Sequence, residues 1–312
     1  MIRNALESNN TVILSAPPYN DKYYSEKYEG MMACYADFTG KISAFHEVVV
    51  LADENSARIL GGSATMSDAV HIIRCSPPCL WIRDWFPIRL PSGKLIKSIY
   101  HPKYLTRNQS KTIDRWVSTL LNEADVTYEV MPLVLDGGNV ILSNDGQCAI
   151  MTTRVLADNP DFSRTEIEKT VQHYLCVEQL ILIPPEQGDV TAHADGMVRW
   201  ISDDTLVVNQ YQEPFRTRFL SALEAQLPTG IRIVEVPYEP SLQRYQGFPS
   251  AAGNYINFLK TDKMLIVPTY GIEKSDKEAV RQLSELSDRP TCSVDCSSIT
   301  NFGGALNCIS RT

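Results

Sequence analysis

Short apolar runs of β character alternate along this chain with longer amphipathic segments, and that alternation restricts the fold more than any other feature. Runs at 11–16, 46–51, 70–74, 95–100, 126–130, 148–152, 177–183, 206–209, 231–236, 264–267 and 292–295 read as strands. Helical spacing predicts helices at 22–45, from 54, at 109–123, from 163, at 213–226 and at 275–286. The 22–45 stripe of Tyr24, Tyr28, Met31, Met32, Tyr35, Phe38 and Ile42 reads as core rather than as a binding surface. Ser163-Arg-Thr-Glu166 fits a capping box, in which side chain and backbone at a helix start satisfy each other. The elements fall into strand-strand-helix-strand groups recurring at roughly 60 residues, without a residue-level repeat. No Pro/Ser-rich linker or charge block divides them, so one α/β domain over residues 1–312 is predicted.

Composition excludes several classes of function. The net charge of -8 and pI near 5.2 leave no basic stripe for nucleic acid or for an anionic membrane surface. A cationic substrate is electrostatically consistent. The apolar run at 11–16 is too short for a signal-peptide core or a membrane span, which predicts a cytoplasmic protein. The eight cysteines are spread through a long chain and read as reduced thiols. Cys75/Cys79 and Cys292/Cys296 share a four-residue spacing, but neither pair has a histidine at ligand spacing, so no metal site is expected. A homo-oligomer is compatible with the sequence, which fixes no assembly state.

Four stretches do not fit the pattern of core and solvated surface. In Trp81-Ile-Arg83-Asp84-Trp85 a charged pair sits inside an apolar segment, where unpaired burial is costly. Either the two charges bridge each other or one faces a pocket, where a carboxylate walled by indole would suit a flat cation such as guanidinium. Asp136-Gly-Gly-Asn139 lies between two apolar runs, where a turn with a local Asp hydrogen bond is the ordinary reading. Among five histidines only His193 stands in a polar turn flanked by acids, and in an extended chain His193 and Asp195 would share one side. Gly303-Gly304 precedes Cys308, and glycines allow a ligand close approach to a thiol; a lone free cysteine is more often a small buried hydrophobe.

In this combination and order the chain resembles the agmatine deiminase branch of the guanidino-group-modifying enzymes, which includes the bacterial type of peptidylarginine deiminase. Asp189-x-Thr-x-His193-x-Asp195, Glu166-x-Glu168, Asn254-Tyr-Ile-Asn-Phe258 and Val267-Pro-x-Tyr-Gly271 extend the resemblance from about residue 80 onward. It implies a pentein fold, a fivefold pseudosymmetric α/β propeller of ββαβ-type repeats with the active site on its axis. It implies Cys308 as nucleophile, His193 as general acid and base, Asp136 orienting that histidine, and Asp84 and Asp195 gripping a guanidinium. Trp81, Gly304 and Asn139 are expected among the substrate contacts. A small cationic guanidino substrate, agmatine-like, and no metal or organic cofactor are implied. Where relatives usually carry Glu, His and Thr, this chain has Asp136, Asn307 and Ser310. Arg154, Arg199 and Arg244 are candidates for binding a substrate carboxylate.

Overall fold

The structure, a computed structural model, describes residues 1–312. A short helix α1 (Ile2–Glu7) leads into β1 (Thr11–Ser15), α2 (Tyr28–Ser43), β2 (Glu47–Ala52), α3 (Glu54–Gly61) and β3 (Val70–Arg74). β1, β2 and β3 pair in parallel, with Val12 opposite Val48 and Val48 opposite Val70. Every residue of β1 is buried, which explains its unbroken apolar run.

The next three units follow one plan. After the single turn α4 (Ile82–Trp85) come β4 (Ile88–Arg89), β5 (Leu95–Ile99), α5 (Arg107–Glu123) and β6 (Glu129–Val134). Then come β7 (Ile141–Leu142), β8 (Cys148–Thr152), α6 (Arg154–Asp158), α7 (Arg164–Leu175) and β9 (Gln179–Ile183). β10 (Val198–Trp200), β11 (Thr205–Asn209), α8 (Phe215–Glu224) and β12 (Arg232–Val236) form the fourth group. In each, the first strand runs antiparallel to the second, and a helical crossover returns the third parallel to it. A hairpin of β13 (Arg244–Tyr245) and β14 (Phe248–Pro249) precedes a fifth group of the same plan: β15 (Leu259–Lys260), β16 (Leu265–Thr269), α9 (Glu273–Leu286) and β17 (Thr291–Asp295). The last strand, β18 (Ser310–Arg311), pairs antiparallel with β1, Leu14 opposite Ser310. The first sheet thus takes its antiparallel member from the far end of the chain.

Buried side chains collect at the seams between successive sheets. Val49 and Leu51 meet Ile82 and Val117 at the first seam, and Met131 and Leu133 meet Met151 and Leu182 at the second. Ile150 and Ile181 meet Val198 and Leu206 at the third. The largest cluster, of 38 residues, joins Val12, Tyr35 and Phe38 to Ile266, Leu283 and Phe302. Full burial of each such aliphatic side chain stabilises by about 1.5–3 kcal/mol. The seams therefore hold neighbouring sheets together and fix the loops at the strand ends.

Two sequence expectations are displaced. The helix expected over 22–45 begins only at Tyr28, because Asp21 accepts from the Tyr23 and Tyr24 backbone N–H groups and turns the chain. The strand expected over 126–130 lies at Glu129–Val134 and contains Pro132. β6 is an edge strand, where a proline need not donate to a neighbour. The capping box at Ser163 is present with both reciprocal hydrogen bonds.

Candidate active site

Four of the loops at these strand ends converge. α4 is a single turn that carries Arg83 and Asp84 in opposite roles: the two do not pair with each other, and Asp84 faces a cavity of about 1000 Å³. The Arg83 backbone N–H donates to the Cys308 carbonyl at 3.1 Å, which ties this turn to the nucleophile's segment. Asp136-Gly-Gly-Asn139 forms a 3-10 turn in which Asp136 makes no capping bond to the turn. Its carboxylate lies 3.0 Å from His193 Nε2 instead. Gly138 is packed so closely that a Cβ there would stand 2.6 Å from His193 Nδ1 and 2.7 Å from Asp84 Oδ1. Only glycine leaves that space to the two side chains.

His193 and Asp195 flank the first residue of another 3-10 turn, Ala194–Gly196, rather than lying in a strand, which starts at Val198. Both still line the same cavity. Cys308 reaches it from the segment before β18, with its thiol 3.7 Å from Asp195 Oδ2 and 3.4 Å from Asn257 Oδ1. Trp81 and Gly304 line the cavity too, and a Cβ on Gly304 would strike the Trp81 indole.

Asn139, expected among the substrate contacts, does not line the cavity. Its Oδ1 accepts from the backbone N–H groups of Thr152 at 2.9 Å and Ala194 at 3.2 Å, so it anchors the histidine turn from behind. Of the three arginines considered for a carboxylate, Arg154 is tied to Asp158 and to the Val190 and Thr191 carbonyls, and Arg199 lines a different cavity. Arg244 alone stands at this cavity, exposed at its rim.

Two asparagines to which the sequence assigned no role take part. Asn307 Nδ2 donates to Asp195 Oδ2 at 2.7 Å, and its backbone N–H donates to the Asn257 carbonyl at 3.1 Å. They hold Asp195 and Cys308 in register. Neutral asparagines carry no charge pattern; the signal available was position, Asn307 beside the cysteine and Asn257 in the Asn254–Phe258 stretch. Glu186 was also unforeseen: it lines the cavity while its carboxylate accepts from Tyr211 at 2.9 Å and from the Tyr238 hydroxyl.

The site is buried, and its charges act on one another at low dielectric. Asp84 is 6% exposed, and its Oδ1 has no hydrogen-bond partner. Burial, together with Asp136 and Asp195, pushes its pKa up to about 7 against the opposing pull of His193. Burial alone would depress His193; Asp84, Asp136 and Asp195 overcome it and raise the imidazole to about 10. Burial and the charges of Asp195 and Asp84 hold the Cys308 thiol well above the ordinary cysteine value. The resting arrangement is therefore a thiol, a protonated imidazole and, 3.5 Å from its Nδ1, an Asp84 carboxylate whose Oδ1 makes no hydrogen bond, all lining one space.

A model of the Porphyromonas-type peptidyl-arginine deiminase family matches residues 2–312. The agmatine deiminase of Medicago truncatula is 24% identical over 320 residues, covering 86% of this chain and 84% of the plant protein. Among solved structures, the agmatine deiminase of C. jejuni superposes with a TM-score of 0.82 at 21% identity, covering 98% of this chain and 94% of that one. A protein of Porphyromonas gingivalis described as a putative arginine deiminase superposes with a TM-score of 0.77 at 21% identity, covering 98% and 96%. The α/β architecture of small mixed sheets is thus shared with agmatine deiminases. With the match running from the second residue to the last, this chain belongs to the Porphyromonas-type peptidyl-arginine deiminase family.

Proposed function

We propose that the chain is a single catalytic domain that hydrolyses a guanidino group to a ureido product and ammonia, with an agmatine-like small molecule as substrate. We read the five sheets of one plan as a fivefold pseudosymmetric propeller with the cavity at its axis. The observation that carries the reaction is that Asp84, His193, Asp195 and Cys308 line one cavity, with Asp84 Oδ1 making no hydrogen bond and only a 3.5 Å ion pair to His193 Nδ1. A guanidinium between the two carboxylates would supply the missing donors in bidentate fashion and lie against Trp81.

The substrate cation offsets the charges of Asp84 and Asp195 that hold the thiol up, so its binding favours loss of the Cys308 proton to solvent. The thiolate forms a bond to the central guanidine carbon. His193, protonated at rest, gives its proton to one amino nitrogen, the carbon–nitrogen bond breaks and ammonia leaves. A cationic S-alkylthiouronium remains on Cys308. Neutral His193 then takes a proton from water as the hydroxyl attacks. Collapse breaks the carbon–sulfur bond, restores the thiolate and releases the ureido product after proton loss. Asp136 keeps the imidazole in orientation and favours its charged form.

Charge at the cavity supports a dicationic substrate. Asp21, Asp84, Glu186, Asp189 and Asp195 line it, against two cations, the protonated His193 and Arg244. An amine at the far end of an agmatine-like molecule would meet carboxylates there. Arg244 at the rim favours a second reading, a substrate that carries a carboxylate, such as free or peptidyl arginine. Amidino transfer to an amine remains the rival reaction, since it would use the same nucleophile and acid.

The test is a panel of agmatine, arginine, a blocked arginine peptide and other guanidino compounds, scored for ammonia and ureido product, with Cys308→Ala as control. Agmatine turnover that disappears in Cys308→Ala is the expected result. Absence of ammonia from every member, with amidino transfer on addition of amines, would replace hydrolysis by transfer.

A further inference from the structure

A second cavity, of about 190 Å³, backs onto the catalytic cluster. It shares no lining residue with the first, yet it is built from the chain neighbours of the catalytic groups: Arg83 beside Asp84, Gly137 beside Asp136, and Asn307 beside Cys308. Its charge is the reverse of the first. Arg83, Arg89, Arg199, Lys260 and Arg311 line it, and no aspartate or glutamate side chain does. In a chain where acidic residues outnumber basic ones 37 to 29, five cations around so small a space need an explanation.

Structural ion pairing does not supply one. None of the five makes a salt bridge. Their hydrogen bonds go to neutral oxygens: Arg83 to the Asn307 carbonyl at 3.3 Å, Arg89 to Leu6 at 3.0 Å, Arg199 to Phe258 at 3.1 Å and Arg311 to Pro87 at 2.6 Å. Lys260 donates to the Trp200 carbonyl and to Asn144 Oδ1, each at 2.8 Å. These contacts fix the side chains in place without a direct ion pair; Asp195 acts on Arg83 and Arg199 only from the front cavity. Arg311, 4% exposed, keeps a buried Nη2 with no partner at all. Burial and the neighbouring cations accordingly depress the group: Arg199, beside Arg83, falls to about 10, and Lys260, beside Arg199 and Arg289, to about 7.

Preorganised guanidinium groups outside any salt bridge, gathered around a small cavity, are what recognition of a tetrahedral anion requires, because each fork offers parallel N–H donors to two oxygens. The volume lies below the roughly 300 Å³ at which ordinary small-molecule pockets begin, which excludes a nucleotide and admits an inorganic ion with water. We propose that this rear cavity binds a small multivalent oxyanion of the phosphate or sulfate class, held by Arg311, Lys260 and the guanidinium groups of Arg83, Arg89 and Arg199. The site is tied to the catalytic segment through Arg83, whose backbone N–H and side chain bond the Cys308 and Asn307 carbonyls. It stands whether or not the front cavity hydrolyses guanidines.

Calorimetric titration of the full chain with phosphate, with sulfate and with malonate, at ionic strength held constant by sodium chloride, tests the proposal. Saturable binding of phosphate or sulfate is expected, together with a saturable rise in melting temperature. Lys260→Gln should weaken it tenfold or more, as should Arg89→Gln, whose partly exposed side chain makes loss of folding no obstacle. No saturable heat up to about 10 mM of either ion would overturn the proposal. So would equal affinity in wild type and both folded variants, and malonate binding tighter than both inorganic ions would replace the assignment with a dicarboxylate.

Discussion

Asp84 concentrates the chemistry of the front cavity in one carboxylate. Its pKa is raised in the folded protein to about 7, so it gains a proton and loses its charge as the pH falls through that value. A cationic guanidine is bound by the charged form. kcat/KM should therefore fall about tenfold or more per pH unit on the acid side of neutrality, well above the ordinary carboxylate range, because Asp84 gains a proton there and the Cys308 thiol must lose one. His193, raised to about 10, stays protonated through this range and sets an alkaline limb as it loses its proton. Stopped assays of kcat/KM against pH measure both limbs; an acid limb in the ordinary carboxylate range would show that Asp84 is not the cation receptor. Asp136→Asn should lower kcat by about 10²-fold or more and move the alkaline limb to lower pH, since an amide neither holds the imidazole's charge nor fixes its donor. Of the charged members of this site only Asp84 stood in the sequence where a charge is costly; Asp136, His193 and Asp195 sat in polar turns and were singled out by the family resemblance. The roles of Asn139, Asn257 and Asn307 were not legible in the sequence, because they rest on hydrogen bonds to the Thr152 and Ala194 backbone and to the Cys308 and Asp195 side chains that only the folded loops create.

Between residue and fold lie the turns that set these side chains. Asn139 joins the end of β8 to the histidine turn by accepting from Thr152 and Ala194, and both donors are buried around it. Asn139→Ala leaves the two N–H groups without a partner, at a cost of about 1–3 kcal/mol each. The expected variant folds with a lowered melting temperature and a kcat reduced more than KM is changed, because His193 is misplaced while Asp84 keeps its own turn and Asp195, on the loosened turn, is still held by Asn307. An unchanged kcat would make Asn139 a purely structural residue. Ser163→Ala gives the comparison: it removes one cap of α7, remote from the cavity, and should cost about 1 kcal/mol in urea unfolding without altering kcat. Helices and central strands were readable from periodicity, as α5, α9, β8 and β11 illustrate. The one-turn and two-residue elements, α4, β7, β13 and β18, were not. They are too short for a period and exist only because neighbouring strands and loops pair with them.

At the scale of the whole molecule, charge is arranged rather than merely net. The chain carries -8 overall, five carboxylates line the front cavity, and five cations line the rear one. A cation approaching the front is attracted over distances set by screening, about 30 Å at 0.01 M salt and about 3 Å at 1 M. Raising sodium chloride across that range should lower kcat/KM several-fold for a dication such as agmatine and raise KM, while kcat, set after the substrate is enclosed, changes little. A monocationic guanidine should show a shallower slope, because only one of its ends is drawn in. Initial rates at a series of salt concentrations compare the two directly. Parallel slopes would mean that Glu186 and Asp189 take no part in binding, and the case for an agmatine-like substrate would lose its electrostatic support even if the guanidine chemistry at Cys308 stood.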